Sequence, residues 1–523
     1  MSDFDRLVQG LQQAGAYPHP VARVEHIETH ISHVLLAGAY AYKLKKPLNL
    51  GFLDFSTLER RRFCCWEELR LNRRLAPHIY LDVVPITGTP DAPAVGGEGE
   101  ALEYAVKMRR FSQDALLTRL PVTPELADRI AERVAGFHDA IPAAPEDSPF
   151  GTPEAVRAPM QENFAQIRSR LRDRAALARL RPLEGWTDAR LAALRRTVER
   201  RKREGRIREC HGDMHRGNIA LVDGELVIFD GIEFNPGLRW IDTMSEVAFL
   251  VMDLEEAGEE APARRLLNRY LEISGDYDGL LLLDLYKVYR AMVRAKVTAI
   301  RLGQSDVDAQ EAARDRADFE RYVALAEGYT RPRPKRLLIT HGVSGSGKSR
   351  LAAVLRERLP LIHVRSDVER KRLFWLPADA RTDSGKDAGI YAPEAGARTY
   401  ARLADLASLI LEAGYSPLVD ATFLRAAQRR PFLELATEKG CPCTILAMEA
   451  PQAVLRERVA SRMMEGRDAS EADLAILDAQ MASKEPLTAA ERQLAVVIDT
   501  HRPGALEGLL RTLYRDAASV LMR

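Results

Sequence analysis

Between Val21 and Lys46 apolar and polar residues alternate in three short runs, VARVEHIE, ISHVLLAG and AYAYKLKK, separated by polar or glycine turns. A period of two predicts three extended segments here. From Leu58 to Leu75 the spacing turns helical, with abundant Arg and Glu, and Leu102 to Met108 reads as a further strand. Apolar residues then recur three and four apart from Gln113 to about Arg203, which predicts mostly helix. Two strand-like stretches, ECHGDMHRGNIALV and ELVIFDGIEF, interrupt the helical part before long helical segments from Asp242 to Tyr329. A small β-rich lobe followed by a helical lobe is the expected result.

The pattern changes at RPRPKR, Arg331 to Arg336, where alternating prolines remove backbone donors and resist helix. Beyond it strand and helix signals alternate: RLLIT, a Gly-rich turn, RLAAVLRERL, LIHVRSD, a helix, SPLVDAT, a helix, CTILAMEA, helices, LAVVIDT and a last helix. That order predicts a parallel sheet covered by helices on both faces. The expected organisation is α/β multidomain: a β-rich lobe at 1–112, a helical lobe at 113–330, a linker at 331–336 and a parallel-sheet domain at 337–523. A length of 523 residues accommodates this, since one domain takes about 100–200 residues.

Charge narrows the partners. Lys and Arg total 76 against 75 Asp and Glu, a net charge of +1, so no global field draws in nucleic acid or anionic membrane, and polyanion binding requires a local patch. Cys64, Cys65, Cys210, Cys441 and Cys443 show neither metal-ligand spacing nor an even secreted framework. The first twenty residues carry early charges and no apolar core of signal-peptide length, and no apolar run approaches the roughly 18 residues of a membrane span. A cytoplasmic location without a membrane partner is expected.

The sharpest chemical motif is GVSGSGKS at Gly342 to Ser349, which fits G-x-x-x-x-G-K-[ST] and lies between an apolar strand and an amphipathic helix. Gly342, Ser344, Gly345, Ser346, Gly347, Lys348 and Ser349 are the expected nucleotide-binding residues. Glycines let backbone N–H groups converge on phosphate, and the following helix turns its positive end to the same anion. Lys348 is expected on the β- and γ-phosphates and Ser349 on Mg²⁺. Asp367 and Asp420 follow later strands, where a carboxylate accepts a hydroxyl proton or holds Mg²⁺, although either residue there also serves as a helix cap. Arg458 and Arg462 are four apart on one helical face and Arg467 follows, placed either to clamp phosphate or simply in solvent. This half resembles the P-loop small-molecule and polynucleotide kinases, including gluconate kinase, zeta toxins, chloramphenicol phosphotransferase and 5′-hydroxyl polynucleotide kinases. The resemblance implies a P-loop NTPase fold, with Asp367 in RSDVERK as base, Arg370 as a substrate or phosphate contact, Asp420 in VDAT handling Mg²⁺ and RERVASRMMEGRDASEAD as an Arg-bearing lid.

A second constellation precedes the linker. His211 to Asn218 reads HGDMHRGN, five positions separate Asp213 from Asn218 as in the kinase H-R-D-x-x-x-x-N loop, and Asp230 ends the next hydrophobic stretch. Asp213 is expected to orient and deprotonate an acceptor hydroxyl, while Asn218 and Asp230 offer hard oxygen ligands to Mg²⁺. Residues from about 20 to 330 resemble the aminoglycoside phosphotransferase and choline kinase branch of the protein-kinase-like fold. On that resemblance Lys43 is the ATP-phosphate lysine and Glu68 its helix partner. Lys45, on the same strand face, and Glu67 are the competitors. EYAVKMRRF resembles the adenine-framing hinge, and His211 is expected to support the loop. The segment ETHISHVLL stands where a nucleotide-covering loop belongs but has no glycine, leaving Thr29, His30 and Ser32 as donors.

Lesser features have plain alternatives. The basic stretch Arg195 to Arg208 reads as a solvated helix face, Glu233, Asp242 and Glu246 as either site residues or structural caps, and Cys441 with Cys443 as strand packing. The two halves in this order resemble bacterial proteins described as bifunctional aminoglycoside phosphotransferase plus ATP-binding protein. The expected function is an ATP- or GTP-dependent phosphotransferase with two nucleotide–Mg²⁺ sites, acting on hydroxyl-bearing small molecules of the sugar, amino sugar or nucleoside class. Two alternatives are a polynucleotide kinase in the C-terminal half, with nucleic acid as partner, and a nucleotide-sensing half that regulates the other. Oligomeric state is open.

Overall fold

A computed structural model describes residues 2–49, 51, 53–171, 173–302, 308–378, 380, 389–465, 473–502, 504 and 508–510, excepting the side chains of 391 and 462–465. The chain forms two compact units, Met1–Gly258 with Tyr289–Val323, and Glu259–Val288 with Ala324–Arg523.

In the first unit, helix α1 (Asp3–Gly10) starts with a capping box between Ser2 and Asp5 and buries Leu7 and Val8. The three alternating runs become β1 (Val24–Glu28), β2 (Ser32–Ala37) and β3 (Tyr40–Lys45). Helix α2 (Leu58–Asn72), capped by Thr57, follows. Strands β4 (Tyr80–Thr89), β5 (Ala92–Val95) and β6 (Glu103–Arg109) complete an antiparallel six-stranded sheet of order β1-β2-β3-β6-β4-β5. Cys65 and Leu69 of α2 pack on Val83 and Val106, which presses the helix against the sheet behind Lys43.

The helical lobe contains α3 (Pro124–Ala140), α4 (Pro153–Arg170) and α5 (Arg174–Arg203). Thr123 and Thr152 cap helices with proline in the first turn, where its missing N–H costs nothing. Two small antiparallel pairs follow: β7 (Ile207–Glu209) with β10 (Trp240–Asp242), and β8 (Ile219–Val222) with β9 (Glu225–Ile228). Short α6 (Pro236–Arg239) leads to α7 (Thr243–Glu256), buried along nearly its whole length. Helices α8 (Glu260–Ser274), α9 (Leu280–Leu302) and α10 (Ala309–Thr330) come next.

The second unit is built on β11 (Leu337–His341), β12 (Leu361–Arg365), β13 (Ser416–Asp420), β14 (Cys443–Glu449) and β15 (Ala495–Asp499), in the order β12-β13-β11-β14-β15 with every pairing parallel. Helices α11 (Lys348–Arg358), α12 (Ser366–Leu373), α13 (Pro393–Glu412), α14 (Ala426–Glu438), α15 (Gln452–Glu465), α16 (Leu474–Ser483) and α17 (Ala489–Gln493) accompany it. Inner strands β11 and β13 are buried along their whole length because both faces are covered. The chain leaves β11 toward β12 but leaves β14 toward β15, so a crevice opens beyond the carboxyl ends of these neighbours. Helix α8 also belongs to this unit: Asn268 donates to the Leu361 carbonyl (3.0 Å) and accepts from the His363 N–H (2.7 Å), occupying backbone groups on the edge strand β12. Among the described residues no helix is long and apolar enough to cross a membrane.

Candidate active sites

The first site is assembled from four separated segments. Lys43 on β3 donates to Glu68 on α2 (2.9 Å) and to Asp230 (2.5 Å), 187 positions away in the chain. Lys45 donates to the other Glu68 oxygen (2.7 Å) and also pairs with Glu233. One buried carboxylate therefore serves both lysines. Burial by itself would raise the Glu68 pKa, but the Lys43 and Lys45 ammonium groups hold it well below the usual carboxylate range. The lysines differ in access: Lys45 is sealed, with 1% of its side chain exposed, while Lys43 reaches Asp230, whose side chain is 46% exposed. Glu67 instead pairs with Arg70 and Arg239.

The catalytic-loop segment is held by its backbone. Gly212 has φ +89, and a Cβ there would lie 2.7 Å from the Leu238 carbonyl, so the turn requires glycine. Its N–H donates to buried Glu246 (2.7 Å), whose other oxygen meets His138 (2.9 Å), and its carbonyl accepts from Arg290 on α9 (2.9 Å). His211 Nδ1 accepts from the Asp213 N–H (3.3 Å), so Nε2 carries the hydrogen donated to the Phe229 carbonyl (2.8 Å); burial lowers its pKa and keeps this ring neutral. Asn218 donates to the Asp213 carboxylate (3.1 Å) and carbonyl (2.9 Å). Burial opposes ionisation of Asp213, yet His215, 3.5 Å away, holds its pKa far below normal. Asp230 takes a left-handed backbone, φ +63, unusual for a non-glycine residue, fixed by its N–H to the Tyr80 hydroxyl (3.1 Å) and the Gly231 N–H to Asn72 (2.8 Å).

In the second unit the loop joins β11 to α11. Gly342 has φ +156, and a Cβ would meet Ser346 Oγ at 2.6 Å and the Met448 carbonyl at 2.9 Å, so the cradle closes only on glycine. Among the described residues Ser346 Oγ is buried without a hydrogen-bond partner, a polar atom suited to an anion seated in the loop. Ser344 donates its N–H to Gln480 (2.7 Å) and Lys348 donates to the Val343 carbonyl (2.9 Å). Asp420 ends β13, with His363 at 3.4 Å; burial resists its charge, but His363 and Lys348 draw its pKa down to about 2. Asp367 stands in the first turn of α12 rather than at a strand end, with Arg370 one turn on. Arg458 donates to Thr500 Oγ1 (3.0 Å) and to the Gly345 carbonyl (3.3 Å), beside the loop. Arg467 and the side chain of Arg462 lie outside the described residues.

The arrangement thus brings together Lys43, Glu68 and Asp230, and separately Asp213 and Asn218. Thr29 and Ser32 hydrogen-bond each other across the β1–β2 turn (3.0 Å). Asp242 receives a two-pronged ion pair from fully buried Arg201 (2.7 and 2.8 Å), which removes Arg201 from the basic face expected of α5. Tyr80, Asn72, Glu246, His138 and Arg290 act by positioning. Their only sequence signal, polar residues within apolar stretches, gives no partner.

The chain is 32% identical over 476 residues to an uncharacterized protein of Mycobacterium tuberculosis and, to the same extent, to one of Mycobacterium bovis; the match spans 89% of this chain and 92% of each relative. The chain belongs to the family of these mycobacterial proteins. Within it, residues 67–283 match the Phosphotransferase enzyme family and residues 337–487 match an AAA domain. The chain is a kinase-type phosphotransferase, with a kinase-like domain followed by a P-loop kinase domain. The first match contains Glu68, Asp213, Asn218 and Asp230 but starts after Lys43, which the fold supplies from β3. Solved structures similar to parts of the chain include a sugar kinase from Janibacter sp. HTCC2649 (21% identity, 36% of this chain and 98% of that chain, TM-score 0.26). A choline/ethanolamine kinase family protein from Mesorhizobium loti is another (14% identity, 62% and 100%, TM-score 0.35).

Proposed function

We propose that this family member transfers the γ-phosphate of ATP or GTP to a hydroxyl of a small molecule of the sugar, amino sugar or nucleoside class, with a nucleotide–Mg²⁺ site in each unit, and that it works in the cytoplasm. The observation that carries the reading is the Lys43–Glu68–Asp230 chain together with an Asp213 held by Asn218, the two sets tied through the backbone by the Phe229 N–H donated to the Asn218 carbonyl (2.9 Å). It groups a cation for nucleotide phosphate, oxygen ligands for a hard metal and a carboxylate for the acceptor.

In the first unit Asn218 and Asp230 would hold Mg²⁺, and in the second Ser349 and Asp420. The metal, when bound, supplies neutralisation of charge on the transferring phosphate. Lys43 binds and orients phosphate while Glu68 fixes its ammonium. Asp213, kept ionised, accepts the hydrogen of the acceptor hydroxyl and aims its oxygen, a contribution of position more than of basicity. In the second unit the loop N–H groups and Lys348 receive phosphate, Asp367 receives the acceptor hydroxyl, and Arg370 and Arg458 flank the transferred group.

The test is nucleotide turnover by the full chain, as wild type, Asp213→Asn, Asp367→Asn and the double variant, against sugars, aminoglycosides, nucleosides and RNA or DNA 5′-ends. Each single variant should lower transfer to one acceptor set by about 10²–10⁴-fold and leave the other set unchanged. Transfer at the wild-type rate in the double variant refutes both assignments, and transfer confined to polynucleotide ends moves the second unit to a nucleic-acid substrate.

A further inference from the structure

A group of side chains outside both sites converges on the first hairpin. His26 and Glu28, two apart on β1, project from the same sheet face, and the register sets Glu28 opposite His33 of β2. One ligand-capable atom from each lies within 4.8 Å of those of the other two, and His26 Nε2 is 2.9 Å from His33 Nδ1. The ring of Phe4, with its centroid 5.8 Å away, walls one side of His33, which is 9% exposed. Lys46 binds one oxygen of Glu28 (2.5 Å), leaving the second oxygen of that exposed carboxylate available. The ionisable groups facing His33 are Lys46, Glu28, His26 and Asp5 of α1.

We propose that His26, Glu28 and His33 form a transition-metal site for zinc or a metal of similar preference, clasping β1 to β2. Two imidazoles and one carboxylate suit Zn²⁺, Co²⁺, Ni²⁺ or Cu²⁺ and not the hard ions Mg²⁺ or Ca²⁺. Two nitrogens each about 2.05 Å from a tetrahedral zinc stand roughly 3.3 Å apart, so the rings need to separate by only about 0.4 Å. The hydrogen now shared between Nε2 and Nδ1 moves to the remote nitrogen of its own ring, leaving both facing lone pairs for the metal with no net proton change. Water fills the fourth position of an open site. The clasp lies next to the Thr29–Ser32 turn and would fix its position.

The second cluster of metal-ligand residues, His138, Cys210 and Glu246, differs in that its carboxylate is already engaged by the Gly212 N–H and His138, and its thiol donates to the Ile241 carbonyl (3.7 Å). That set positions the Gly212 loop.

The two are separated by titrating the metal-stripped full-length protein with Zn²⁺ by calorimetry and with Co²⁺ by absorption, in excess Mg²⁺. Saturable zinc binding is expected, with cobalt d–d bands but no thiolate charge-transfer band. His26→Ala and Glu28→Gln should each weaken it about tenfold or more, since even outer-shell losses cost that much, while Cys210→Ser leaves it unchanged. Absence of saturable binding at micromolar zinc, binding that survives both hairpin variants, or a thiolate band would overturn the proposal. Far-ultraviolet circular dichroism confirms that the variants are folded.

Discussion

Glu68→Gln probes the buried charge cluster directly. The wild-type carboxylate is 0% exposed and accepts from Lys43 at 2.9 Å and Lys45 at 2.7 Å. An amide of the same shape keeps one acceptor, so one ammonium faces an NH₂ group instead; where that ammonium is Lys45, sealed from water, Glu233 is its one remaining carboxylate among the described residues. Removing one partner of a buried ion pair costs about 3–5 kcal/mol. For a unit of this size each kcal/mol moves Tm by roughly 2–4 °C, giving a drop of roughly 10 °C. Differential scanning calorimetry of the full chain should show this loss in the transition of the first unit, with the transition of the P-loop unit unmoved. Adding Lys45→Met should restore at least half of it, because the stranded cation is gone and Glu233, whose pKa burial pushes up, takes a proton. A single variant within about 1 kcal/mol of wild type, the range of exposed pairs, would refute the view of Glu68 as a desolvated hub. So would a double variant less stable than the single.

Asp213→Asn should lower kcat for transfer by the first unit about 10²–10⁴-fold with little change in nucleotide KM, checked by coupled ADP release. Asn268→Ala should cost about 1–3 kcal/mol in the transition of the P-loop unit, since a buried carbonyl and N–H of β12 lose their partner; urea unfolding measures it. Asp420 has a depressed pKa, about 2 against 3.8 in the unfolded chain. Its contribution to stability is therefore complete above pH 3.8 and lost as pH falls through about 2. Asp420→Asn should flatten that part of the acid-unfolding curve and abolish Mg²⁺-dependent nucleotide binding by the P-loop unit, read by calorimetry.

What was legible in the sequence was whatever a contiguous segment dictates. The period-two runs became β1, β2 and β3, and the strand and helix alternation after residue 336 became a five-stranded parallel sheet. The glycines of GVSGSGKS mark a loop that admits no Cβ at Gly342. Strands β4 and β5 lie between the runs that the apolar pattern marks: Pro85, Gly88, Pro90 and Pro93 break the alternation there, and pairing with β6 organises β4. Strand alternation placed Lys43 and Lys45 on one face but could not rank them; only the fold shows one carboxylate serving both, one lysine sealed and the other turned toward Asp230. The same holds for Asn268, whose amide covers a strand edge 93 positions onward. Local chemistry is written in spacing and composition, because steric and hydrogen-bonding preferences act over a few residues. The positions of Asp230, Tyr80, Asn72 and Glu246 depend on packing between distant segments, where burial decides which charges remain accessible and which are locked into the scaffold.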